Sequence, residues 1–147
     1  MSKSTAFASQ LQALTFDVAA VMPAWVAQAN FVIALHTADP GAGGTQSTSE
    51  CNYTGYARVS VPRNTANWTQ VGNTVTNALQ ILFPFVSAGS GDALWLTIGT
   101  ATTGAGQVLH RALISFPPSG GIPIVAGATP GIEAGGIVVI IRTITEV

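Results

Sequence analysis

Charge is what this sequence has least of. Five basic and six acidic residues make up only 7% of 147 positions, where an ordinary soluble chain carries roughly 25%. The fixed cations are Lys3, Arg58, Arg63, Arg111 and Arg142, too few and too scattered to neutralise a phosphate backbone, so no direct contact with nucleic acid is expected. Cysteine is nearly absent. Cys51 stands alone, which rules out an internal disulfide and makes the residue a small semi-buried hydrophobe suited to a reducing compartment. Long apolar runs are missing too. The best stretch, Val18 to Ala38, is broken by Pro23, Gln28, Asn30 and His36 and falls short of the ~20 apolar residues of a membrane-spanning helix. The N-terminal segment mixes Ser, Thr and Gln into its apolar residues and lacks a signal-peptide core. Without a secretory route, the triplets Asn52-Tyr-Thr54 and Asn67-Trp-Thr69 match a glycosylation acceptor by chance.

Apolar residues, by contrast, reach 48%. A disordered chain needs low hydrophobicity and high net charge, and this one has neither. A single domain over residues 1–147 is expected, since domains cluster near ~100 to 150 residues. Its surface must then be built from Ser, Thr, Asn, Gln and Gly beside apolar groups, and such a surface lacks the like-charge repulsion that keeps monomers apart. The composition therefore points to life inside an assembly.

Two periodicities organise the chain. Phe7, Leu11, Leu14, Val18, Val21 and Trp25 form the stripe of an amphipathic helix, which Ser4 or Thr5 can cap and Pro23 must end, so a helix is predicted over about 5–21. That stripe covers either the domain's own core or a partner. From Phe31 onward the pattern is that of strands: Phe31 to His36, Tyr56 to Val61, Trp68 to Val71, Thr74 to Asn77, Leu79 to Phe83, Leu94 to Thr100, Val108 to Ser115, Ile122 to Val125 and Ile137 to Thr145. Gly72-Asn73 supplies a two-residue hairpin turn, and Asp39-Pro-Gly41 opens a long Gly/Thr/Ser loop. About eight or nine short strands at ~8 to 12 residue spacing, with no room for helical crossovers, predict an all-β sandwich of jelly-roll type, of about eight strands, over about 31–147, with the one helix before it.

Chemistry finds little to work with. Six acids, Asp17, Asp39, Glu50, Asp92, Glu133 and Glu146, and two histidines, His36 and His110, are dispersed. No G-x-S-x-G elbow and no phosphate-cradling glycine motif occurs. No enzyme, cofactor or metal site is expected, since His36 with Asp39 offers at most two ligands. Asp39 reads as a turn initiator that bonds its own backbone. Arg58, Arg111 and Arg142 sit within apolar strand runs, where a charge is costly unless paired. Glu50, Asp92 and Glu133 are the loop acids available for structural ion pairs. Trp68 and Trp95 serve as core anchors or as interface aromatics.

The segments Leu35-His-Thr-Ala-Asp-Pro-Gly41, Ser49-Glu50, Tyr53-Thr-Gly-Tyr-Ala-Arg-Val59, Trp68 and Phe83-Pro84, in this order and spacing, resemble a family of small tailed-phage virion proteins. Its members, often labelled tail-fibre-like, include jelly-roll cement proteins that decorate capsids. The likeness runs from about Phe31 to Val139 and weakens after His110, where loops multiply. It implies architecture and a place in the virion, not catalysis. The expectation that follows is a homo-oligomer, dimer or trimer, made in the bacterial host cytoplasm. It would bind the major capsid protein on the capsid surface and clamp neighbouring subunits against packaged DNA. Phe7, Leu11, Leu14, Val18, Asp39, Glu50 and Trp68 are the candidate assembly contacts. The alternative is a tail or fibre component that stacks a host glycan on Trp68, Trp95 or Tyr53.

Overall fold

The computed structural model describes residues 1–115 and 120–140. In chain order its elements are β1 (Ser2–Lys3), α1 (Thr5–Phe16), a 3-10 turn (Ala24–Ala27), β2 (Asn30–His36), β3 (Val59–Pro62), β4 (Trp68–Val71), β5 (Thr74–Asn77), β6 (Ile81–Leu82), β7 (Ser90–Ala93), β8 (Trp95–Gly99), β9 (Val108–Leu113), β10 (Ile122–Val125), β11 (Gly131–Ile132) and β12 (Val138–Ile140). Among the described residues every strand pairing is antiparallel. A five-stranded sheet runs β1-β9-β8-β2-β3, a three-stranded sheet runs β12-β5-β4, and two ribbons pair β10 with β7 and β11 with β6. The result is an all-β, sandwich-like fold with one α-helix near the N-terminus. The part of the last expected strand beyond Ile140 lies outside the described residues.

The core follows from the pattern. Strand β2 lies between β3 and β8 and buries Val32 to His36 without a break, as a strand covered on both faces must. One apolar cluster draws on all four sheets: Ile33 and Ile98 come from the large sheet, Ile124 and Ile132 from the two ribbons and Val139 from the three-stranded sheet. The β4–β5 hairpin turns where expected, with Gly72 at φ 57°, the positive first-position angle of a type II′ turn that glycine adopts without strain.

Three expectations need correction. The helix stops at Phe16 rather than near Val21. Asp17 adopts an extended conformation there, and its carboxylate accepts the Ala19 N–H at 2.9 Å, a local bond that competes with helix continuation. Beyond it Val18 and Val21 meet no core, and a helix without packing gains little. The second correction concerns Tyr56 to Val61. Pairing begins only at Val59, and the alternation changes phase, because Arg58 turns inward while Ser60 faces out. Third, β7 and β11 fall where loops are expected. Ser90–Ala93 has no hydrophobic period, and it becomes a strand because Ile122–Val125 pairs along it.

Candidate assembly surface

The long loop after β2 closes on itself through polar groups. His36 is fully buried, with Nδ1 2.8 Å from the Thr48 carbonyl and Nε2 2.9 Å from the Thr97 hydroxyl. A carbonyl can only accept, so Nδ1 carries the proton and Nε2 accepts from Thr97. Burial lowers the His36 pKa, which keeps the ring neutral. Gln46 is equally buried. Its amide donates to Val32 O at 3.1 Å, and its carbonyl accepts the N–H groups of Thr100 and Ala101 at 3.0 and 2.9 Å. Two glycines make room for it: a Cβ on Gly99 would lie 2.2 Å from the Gln46 amide carbon, and one on Gly106 would lie 2.3 Å from its carbonyl oxygen.

Beside this pair Arg58 reaches Glu50 through two parallel bonds, Nε to Oε1 at 2.6 Å and Nη2 to Oε2 at 2.7 Å. The rest of the guanidinium caps Ala101 O at 2.8 Å and Gly104 O at 2.7 Å. The bidentate geometry suits guanidinium and carboxylate alike. Ser49, just before Glu50, sits at φ 53°, and its carbonyl is held by the Thr37 N–H at 2.8 Å. Elsewhere in the loop, Asp39 pairs with Arg111 and also accepts the Gly41 N–H at 2.8 Å. Burial pushes the Asp39 carboxyl upward, but the Gly41 N–H and the Arg111 guanidinium outweigh it and hold the group below its usual range.

The opposite character appears around the helix. Ser4 caps α1 by accepting the Phe7 N–H at 3.2 Å and donates its hydroxyl to Val108 O, so the helix starts on β9. Phe7 then stacks edge-on against Trp25 at 5.1 Å and His110 at 5.0 Å. His110 is pushed down to about 4 by burial, aided by the nearby Lys3 and N-terminal charges. At and past the end of the helix, Phe16, Val18, Val21 and Met22 stand in solvent. Between the helix start and the three-stranded sheet opens a cavity of about 640 Å³, lined by Phe7, Phe31, Trp68, Val75, Leu109 and Val139 with Arg63 at its side.

An apolar arm and a largely apolar cavity thus lie in the same chain, each without a covering among the described residues. The model of the podophage GP4 fiber I protein gp80 family matches residues 3–137. The chain belongs to that family. It is a structural protein of the phage virion. No curated protein matches the gp80-family chain. Among the described residues no helix is long and apolar enough to cross a membrane, and no group of three or more His, Cys, Asp or Glu side chains could hold a metal ion.

The gp80-family fold distributes the candidate contacts unevenly. Phe7 is 7% exposed and belongs to the chain's own packing. Leu11 and Leu14 are half-buried, and Val18 is bare. Glu50 and Asp39 engage their carboxylates with Arg58 and Arg111, while Arg142 and Glu146 lie outside the described residues. Trp68 packs on Phe31 at 6.1 Å and donates its indole N–H to Pro62 O at 3.0 Å. Of the aromatics named for a glycan, Tyr53 is buried with its hydroxyl on Pro84 O at 3.0 Å. Trp95 lies under the Arg111 guanidinium, 5.6 Å away. Sequence reasoning passes over Gln46 and sees His36 only as a weak ligand. The signal available is Gly99 within an apolar strand run, which marks a close approach.

Proposed function

We propose that the chain is a non-enzymatic structural subunit of a phage fibre, held in place by contacts with copies of itself and with adjoining virion proteins. The observation that carries this reading is the exposed apolar arm, Phe16 to Met22, on a chain of the fiber I family. Each contact would be weak, since few charges are available to strengthen it, and repetition along an assembly would raise avidity by ~10² to 10⁴. No cofactor, nucleic acid or membrane enters this reading. A decoration role, in which the subunit clamps major capsid subunits on the head surface, draws on the same neutral surface and on the Leu35–Gly41 and Tyr53–Val59 resemblance. Copy number separates the two. A stained gel of purified virions should show a few to tens of copies for a fibre, whereas hundreds would overturn the fibre in favour of the shell. Sugar stacking on Tyr53 or Trp95 gains no support from rings already engaged within the fold.

A further inference from the structure

We infer that the apolar arm of one copy, Phe16 to Met22, seats in the cavity between α1 and the three-stranded sheet of a second copy. The inference deepens the assembly reading above by naming the two surfaces that meet, and it rests on that reading.

Exposure, shape and charge converge on it. Among the described residues the arm is the most exposed apolar stretch, with Phe16 at 86% and Val21 at 89% of full exposure. The cavity, at about 640 Å³, lies within the ~300 to 1,000 Å³ of pockets that enclose a drug-sized molecule, so it has room for several side chains. One is a knob and the other a hole; the arm is apolar but for Asp17, and the hole has an apolar floor with polar groups such as Asn64, Thr69 and Gln70 along its wall. Within one chain they do not meet. Phe7 lines the cavity, and Phe16 follows nine residues later on the same helix, which carries it about 13 Å away along the axis. Val18, Val21 and Met22 remain exposed on the way back to Trp25, so the arm leaves its own cavity uncovered.

Charge agrees with shape. The arm carries one charge, Asp17. At the cavity, Arg63 donates through Nη1 to the carbonyls of Trp25, Val26 and Gln28 at 2.8, 3.1 and 2.9 Å and has no carboxylate partner among the described residues. An acidic arm entering beside an arginine meets a complementary field, and His110, the other basic group there, is neutral near pH 7 because burial has pushed it down to about 4. A patch that fits a pocket elsewhere on the same molecule makes a head-to-tail contact, which repeats into rings or filaments.

The test is a mixed cross-link in full-length protein. Cys51 is buried, with its thiol pushed up to about 11, and Cys51→Ser removes it altogether. In that background one preparation carries Val18→Cys on the arm and the other Thr69→Cys on exposed β4 at the cavity wall. Mixed under mild oxidation, the two should form a disulfide heterodimer at least tenfold faster than Val18→Cys mixed with Thr103→Cys on a distant loop. Val18→Asp, at a position fully open to solvent, should keep native circular dichroism and weaken self-association in sedimentation by tenfold or more. Two results would overturn the contact. If the wild type associates but Val18→Asp associates equally well and no preferential heterodimer forms, copies meet elsewhere. If Val18→Asp leaves self-association intact yet blocks incorporation into particles, the arm belongs to another virion protein. A wild type that stays monomeric at every concentration, and has few copies per particle, would instead sink the self-assembly reading itself.

Discussion

The two ends of this fold invert the usual rule. At the end of β2, polar and charged groups are buried: His36, Gln46, Thr97 and Arg58 are all within the interior, and the bonds they make fall on neighbours in the same chain. At the end of α1, apolar groups are exposed, and Phe16, Val18, Val21 and Met22 touch little. A buried polar network is stable only when its members are satisfied, so the first region is finished by the chain alone. An exposed apolar arm gains free energy only when something covers it. On the proposed reading, association finishes the second region. On the same reading, residues that shape the subunit are separate from residues that would shape the particle.

The largest expected effect comes from breaking the finished end. Arg58→Ala would leave Glu50 without its bidentate partner and strip the caps from Ala101 O and Gly104 O. Removing one partner of a buried pair costs about 3 to 5 kcal/mol. Urea unfolding should show that loss as a lower midpoint at unchanged slope. A loss below ~1 kcal/mol, the range of an exposed pair, would mean that the network is not closed in solution and that the two ends differ less than the geometry says.

How much of this contrast can be read from the sequence depends on the length scale of the cause. Phe31–His36 and Ile122–Val125 are legible because strand period and burial agree locally. The pairing need of Arg58 is also legible, from a charge in an apolar run. Its orientation is not, since the phase change between Arg58 and Ser60 is set by Glu50 eight residues earlier and by loop carbonyls forty or more residues later. Asp39 shows the same limit. Its turn bond to Gly41 is local and readable, while its pairing with Arg111 joins positions 72 apart in sequence. The helix misleads for the opposite reason. Its stripe runs on through Val18 and Val21, but an apolar period says only that a face wants covering, not that the same chain covers it. The arm is therefore visible in the sequence as an overlong helix.

A smaller effect should come from crowding the finished end. Gly99→Ala would place a methyl 2.2 Å from a Gln46 amide that three hydrogen bonds pin in place. Overpacking of this kind costs about 1 to 3 kcal/mol, and thermal unfolding would register it. Adding Gln46→Ala should recover part of the steric cost, while still losing the amide's bonds. If Gly99→Ala proved neutral, Gln46 would have another place to go.

The boundary between the two regions can be probed with pH. His110, which packs on Phe7 at the base of the helix, has its pKa lowered to about 4 from the ordinary 6.5, chiefly by burial. A lowered histidine pKa means the unfolded chain binds the proton more readily. Its contribution to stability is therefore complete above about pH 6.5 and falls away as pH drops toward 4. Allowing for partial exposure, the loss over that window is about 1 to 2 kcal/mol. Asp39, whose pKa is also lowered, acts in the same direction but further down, since a carboxylate with a depressed pKa loses its contribution only as pH falls below the ordinary carboxylate range. His110→Gln should make the stability profile less steep between pH 6.5 and 4, leaving the share of His36, whose pKa burial also lowers, and the slope below it. A profile unchanged by that substitution would place the proton uptake elsewhere.

The smallest effect on the subunit is the most telling about the arm. Val18→Ser changes a side chain fully open to solvent, and surface substitutions away from buried features stay within about ±0.5 kcal/mol. The isolated subunit should therefore unfold at an unaltered midpoint, in contrast to Arg58→Ala. If the arm is covered in the particle, the same substitution removes apolar area from every copy of a repeated contact, so virions carrying it should lose the protein more readily on heating or dilution. Stability of the subunit and stability of the particle would then respond to different residues. A Val18→Ser subunit that loses stability on its own would show that the arm folds back in solution, and the division between a finished and an unfinished end would have to be redrawn.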